Sequence, residues 1–141
     1  MEHHFTAAQS AVATAKAAPL NRRKAMLAVL LVDAAVDALF EASGEGDILA
    51  FRAALAATHP ALGLVLSLAA MTDSGPRLAV EPVAVPPSAY PALGVEDYMV
   101  SLYNDRTVQR VQIILPDGTR RDVHEVLADA MAELSAIPAS A

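Results

Sequence analysis

The sequence predicts an α+β fold in a single domain, and three observations support this prediction. Residues 1–72 are rich in alanine and leucine with helical spacing, which favours helices. The following stretch, 77–115, is rich in Val, Ile, Tyr, Thr and Pro, which is typical of strands and turns. An amphipathic segment closes the chain. We therefore expect one domain over 1–141, with about four helices in 1–72 and an antiparallel sheet of three to four strands plus a C-terminal helix in 77–137.

The first two helices are predicted from their capping residues. Thr6 and Gln9 have the spacing of a capping box, so helix one is expected to start at Thr6 and to end before Pro19. Asn21 has a side chain that caps helix N-termini well. It predicts the start of a second helix that runs to about Ala42, where the sequence SGEG begins.

Two shorter helices are predicted next. Asp47 caps the third as far as Thr58 or His59, and Pro60 suits the first turn of the fourth. Residues 53–71 contain no charged side chain, so their length alone would permit a membrane span. Because Pro60 interrupts this segment and no basic cluster flanks it, we expect two buried helices and no membrane span.

The strands are predicted from β-branched residues and turn signals. The segment 77–85 looks extended, and Pro82 makes it an edge strand because proline has no backbone N–H to donate. The segment 98–115 alternates apolar and polar residues on both sides of Asn104 and Asp105. This pattern predicts a β-hairpin with Asn104 and Asp105 at its tip.

The last helix is predicted with its own cap. Thr119 to Asp122 can add a short strand, and Asp122 with Glu125 forms a second capping-box pattern. Apolar residues then recur at helical spacing, and we expect this stripe to pack on the sheet. The side chains expected in water are His124, Glu125, Asp129 and Glu133.

Composition argues against several function classes. The chain has no cysteine, which removes thiolate catalysis and thiolate metal sites. Glycine-rich phosphate loops are absent, so no cofactor is expected. The net charge of −6 repels polyphosphates and argues against nucleic acid as a partner. The N-terminal residues do not have the pattern of a secretion signal, and we expect a cytoplasmic protein.

Helix two presents the first candidate site. Asp33, Asp37 and Glu41 share one strip of a helix that is otherwise almost entirely apolar. Three interpretations are open: a narrow solvated strip, a self-association surface, or a catalytic or metal-binding pair of carboxylates. No catalytic motif accompanies the pair, so whether the protein is an enzyme stays undecided.

Self-association is the most specific of the three interpretations. Arg22 and Arg23 lie on the same strip, too far from Asp33 to pair within one helix. A second copy that crosses antiparallel would bring the arginines of each helix opposite the carboxylates of the other, as a two-fold interface requires. The predicted interface residues are Arg22, Arg23, Val29, Leu30, Asp33 and Asp37.

The outer face of the predicted hairpin is the second candidate site. Tyr103, Arg106 and Arg110 form a basic patch there on an acidic protein. Arginine binds carboxylates and phosphates with two hydrogen bonds, and tyrosine offers it a stacking plane. The patch is either a solvated strand face or a binding site for an acidic peptide or a phosphate-bearing ligand.

The function expected from the sequence is that of a homodimeric intracellular interaction protein. Excess apolar helix surface without catalytic motifs is the reason for this expectation. The alternatives are a small enzyme or ligand-binding protein with a pocket between helix two and the sheet, or an anion binder that uses the arginines of the hairpin.

Overall fold

Six helices and three strands are present in the computed structural model, which describes residues 2–43, 46–85, 88, 93–103 and 106–138. In chain order they are α1 (Glu2–Ala17), α2 (Arg22–Ser43), α3 (Ile48–Thr58), α4 (Pro60–Ala69), β1 (Arg77–Ala84), α5 (Val95–Tyr103), β2 (Thr107–Ile114), β3 (Arg120–Asp122) and α6 (Val123–Ala136). The α+β class predicted from the sequence is therefore confirmed.

The predicted starts of α2, α3 and α4 are confirmed, whereas the capping box predicted for helix one is wrong, because α1 already begins at Glu2. The backbone N–H of Lys24 donates to Oδ1 of Asn21 at 3.1 Å, and that of Leu49 donates to Oδ1 of Asp47 at 3.3 Å. Pro60 occupies the first turn of α4. Each feature supplies a partner for a backbone N–H that lacks one within its helix, or removes that N–H altogether.

The uncharged segment 53–71 is broken as expected. The chain leaves the helical conformation at His59 (φ −126°, ψ 91°), between α3 and α4. Over the part of the chain that the structure describes, no helix is both long enough and apolar enough to cross a membrane. The start of α1 at Glu2 is four residues earlier than the predicted start at Thr6.

α2 forms the centre of the helical core. It packs against α1, α4 and α6, and its buried side chains are mostly small. Alanines allow the helix axes to approach closely, and valines fill the space between them. The members of this set with no exposed surface are Ala25, Ala28, Val29, Val32, Ala35 and Val36.

The sheet is antiparallel with strand order β1-β2-β3, so β1 is an edge strand as Pro82 predicted. The predicted hairpin is wrong, because the segment before Asn104 forms α5 and β2 pairs instead with β1, with Val80 opposite Val111. Asn104 and Asp105 lie outside the described residues. Alternating apolar residues over so short a run do not distinguish a strand from a helix.

α6 begins at its predicted cap, since the N–H of His124 donates to Oδ1 of Asp122 at 3.0 Å. Its apolar stripe contacts α1, α2 and α4 as well as the sheet. Two side chains of α6 that were expected in water instead make polar contacts within the fold. Nε2 of His124 lies 3.1 Å from the carbonyl oxygen of Pro19, and Glu133 accepts hydrogen bonds at the N-terminus of α4.

Candidate functional site

Asp33 and Asp37 of α2 are bridged by one arginine from α3. Nη2 of Arg52 lies 2.5 Å from Oδ1 of Asp33, and its Nη1 lies 2.7 Å from Oδ1 of Asp37. Burial lowers the pKa of Arg52, but its hydrogen bonds and charge interactions with the two aspartates more than offset this, so the pKa is raised. The guanidinium is therefore charged and neutralises part of the carboxylate pair.

Arg52 uses only one oxygen of each carboxylate. Among the described residues, no partner is found for Oδ2 of Asp33 or Asp37. Both side chains keep solvent contact, at 24% and 42% of their full exposure. Arg52 thus satisfies one oxygen of each carboxylate, and both side chains remain accessible to solvent. The sequence did not indicate this arrangement, because Arg52 lies 15 residues after Asp37 on a different helix.

Next to these carboxylates, α2 carries exposed leucines. Leu27 is 53% exposed and Leu30 is 38% exposed, and both lie on the same side of the helix as Arg23. Val29 has no exposed surface, so of the predicted interface residues it is the one that belongs to the core. We define the α2 strip by its surface residues Arg23, Leu27, Leu30, Asp33 and Asp37.

The three residues of the predicted basic patch are not gathered on a hairpin face. Nη2 of Arg110 on β2 lies 2.9 Å from Oδ2 of Asp97 on α5. Arg106 is exposed and has a left-handed backbone (φ 61°) between α5 and β2. Tyr103 ends α5, and its side chain is outside the described part. α5, which the sequence analysis missed, therefore supplies a carboxylate that pairs with one of the arginines.

A cavity of about 400 Å³ lies between α2 and the sheet. Arg22 and Arg23 of α2 line it, whereas Asp33 and Asp37 do not. Its remaining walls come from the end of α4 and the start of β1. Within the described residues there is no group of three His, Asp or Glu side chains that could hold a metal ion.

Comparisons with known proteins give this chain no relative. No family model, no curated protein sequence and no solved structure matches it.

Proposed function

We propose that this protein is a homodimeric interaction protein whose two copies meet along the α2 strip. The observation that supports the proposal is the exposure of Leu27 and Leu30 between charges of opposite sign. Single exposed leucines are ordinary on protein surfaces. Two of them on one helix face, with a cation on one side and carboxylates on the other, have the composition of a small interface.

The strip is self-complementary when two copies run antiparallel. A two-fold axis near residues 28 and 29 places Leu27 of each chain opposite Leu30 of the other. The same register brings Arg23 to the level of the partner's Asp33 and Asp37. Those carboxylates have one oxygen each that Arg52 leaves without a partner, so Arg23 can donate to them without breaking the contacts with Arg52.

The proposal is tested by measuring mass in solution by sedimentation over a range of protein concentrations. We expect wild type to reach the mass of two chains. Leu30→Asp places two carboxylates in the apolar centre of the interface, because the two-fold axis doubles every substitution. The dissociation constant of the dimer should rise roughly 100-fold. Arg23→Glu should raise the dissociation constant about tenfold, because the new carboxylate repels the carboxylates of the other copy that Arg23 would attract.

Leu49→Asp is the matched control. Leu49 is more exposed than Leu30, at 73%, and lies on α3 outside the α2 strip. This variant introduces the same charge on the same residue type and should leave the mass unchanged. A monomeric wild type at all concentrations would refute the proposal, as would equal effects of Leu30→Asp and Leu49→Asp.

The cytoplasmic location expected from the sequence stays a prediction. The anion-binding alternative stays a prediction as well, although one of its arginines, Arg110, has a carboxylate partner in Asp97.

A further inference from the structure

The cavity between α2 and the sheet combines apolar walls with three arginines that form no salt bridge among the described residues. Three separate segments form it: the first turn of α2, the end of α4 with the residues that follow, and the first residues of β1. Its volume of about 400 Å³ is within the range of small-molecule sites. Met71, Thr72 and Pro76 lie in the link between α4 and β1, and the rest of the lining comes from α2, α4 and β1 themselves. Because α2 contacts both α4 and β1, these three elements hold the cavity in place.

The apolar part of the cavity is built by Met26, Leu68, Met71 and Leu78. Leu68 is almost completely buried, and Met26 and Leu78 pack against the core. Met71 instead exposes 65% of its surface and has a left-handed backbone, with φ 50°. A long unbranched side chain is unusual in that conformation, which favours glycine or asparagine. Met71 thus exposes an apolar side chain at the cavity although its backbone conformation is unfavourable.

The cationic part consists of Arg22, Arg23 and Arg77. Within the described ranges, no carboxylate oxygen lies within 4.0 Å of any of these three guanidinium groups, although Arg77 acts on Glu81 at longer range. The first turn of α2 contains no acidic residue. Cations at that end of a helix are disfavoured, because the helix dipole already places partial positive charge there. An anion in the cavity would relieve the repulsion of all these groups together.

We propose that this cavity binds a small amphiphilic anion, whose carboxylate or phosphate group contacts Arg22 and Arg77 and whose hydrocarbon part lies on Met26, Leu78 and Met71. Arginine donates two parallel hydrogen bonds to either headgroup. Burial of the hydrocarbon part supplies the rest of the affinity. A neutral ligand would leave the arginine charges uncompensated, and a polyanion would meet the net charge of −6 on the whole chain.

This proposal does not depend on the dimer. Arg23 is the one residue that lines the cavity and also belongs to the α2 strip, so the binding test uses Arg22 and Arg77. Loss of self-association in a Leu30→Asp variant with binding intact would separate the two proposals, because Leu30 does not line the cavity.

Titration calorimetry on the full chain tests the site with four probes, each used below its micelle concentration. Dodecanoate and dodecyl phosphate carry the two candidate headgroups, and their relative affinities show whether the site prefers a carboxylate or a phosphate. Dodecyl maltoside has the same hydrocarbon chain without charge, and inorganic phosphate has the charge without a chain. We expect saturable binding of one or both amphiphilic anions, and at least tenfold weaker binding of the two controls.

Three arginine variants identify the site. Arg22→Gln and Arg77→Gln should each weaken binding of the amphiphilic anion about tenfold, the cost of losing one charge-assisted contact. Arg121→Gln is the matched control, because Arg121 is exposed on β3 and has no carboxylate within 4.0 Å among the described residues. It changes the net charge by the same amount and should leave the affinity within twofold of wild type.

A further variant tests the apolar part of the cavity, and its stability is measured together with its binding. Met71→Gly removes apolar surface from the cavity while relieving its left-handed backbone, so weaker binding in a protein at least as stable as wild type supports the site. Equal loss of affinity in Arg121→Gln, or binding of dodecyl maltoside as tightly as dodecanoate, would overturn the proposal. Equally tight binding of inorganic phosphate and dodecyl phosphate would also overturn the proposal, because the hydrocarbon part would then contribute nothing to the affinity.

Discussion

Met71, just after the end of α4, has an unfavourable backbone conformation. Its φ of 50° lies in the left-handed region, where the Cβ atom of an L residue crowds the backbone. The N–H of Met71 still donates to the carbonyl oxygen of Leu68 at 3.1 Å, so the residue ends the helix as a glycine would. Its side chain offers little burial in return, since 65% of its surface is exposed.

We therefore expect Met71→Gly to raise the free energy of unfolding by about 0.5–1 kcal/mol, because the strain of the left-handed backbone is removed and little packing is lost. Urea denaturation at pH 7 measures the change. Ala70→Gly is the neighbouring control. Ala70 has a right-handed backbone (φ −68°), so glycine there should lower stability by a similar amount. Destabilisation by both variants would show that the backbone of Met71 is not strained.

Among the elements, α2, α3, α4 and α6 begin where their local signals predicted. α1 begins four residues before the capping box at Thr6, and α5 was not predicted. Asn21, Asp47, Pro60 and Asp122 each mark a helix start in the sequence because capping depends on nearest neighbours in the chain. The segment of α5 is short, and its alternating apolar residues also fit a strand. Its conformation is decided by tertiary pairing, since β2 takes β1 and not the preceding segment as its partner. Such a choice cannot be read from either segment alone.

One side chain of α6, Glu133, links this helix to the start of α4. Glu133 of α6 accepts hydrogen bonds from the N–H groups of Leu62 at 2.9 Å and Ala61 at 3.3 Å. It thus places a negative charge at the positive end of α4. Glu133→Gln should lower the free energy of unfolding by about 1 kcal/mol. The control Asp129→Asn changes an exposed carboxylate of the same helix and should have almost no effect. Equal values for the two variants in urea denaturation would contradict this role.

In the whole molecule, charges are paired across elements in a way that the sequence does not show. Arg52 joins α3 to α2, and Arg110 joins β2 to α5. The arginines of the cavity come from residues 22–23 and 77, which are more than fifty positions apart in the chain. The sequence places Arg22 and Arg23 on one strip of helix two, and contact with a second copy was one of three interpretations of that strip. Their position beside β1 depends on how the helical half packs on the sheet.

The ion pair between Glu81 and Arg120 spans all three strands and predicts a dependence of stability on pH. The hydrogen bond from the Arg120 guanidinium holds the pKa of Glu81 below its ordinary value of 4.5, with smaller contributions from the charges of Arg120 and Arg77. A carboxyl whose pKa is lowered by folding stabilises the folded state when the pH is above the pKa of the unfolded chain. This contribution is lost as the pH falls through the pKa of the folded state.

Glu81→Gln should therefore lower the melting temperature at pH 7, and the difference in melting temperature between this variant and wild type should shrink as the pH falls below 4.5. Arg120→Gln removes the same pair and should show the same convergence in thermal unfolding. A constant difference between wild type and Glu81→Gln down to strong acid would show that Arg120 does not stabilise the ionised carboxylate.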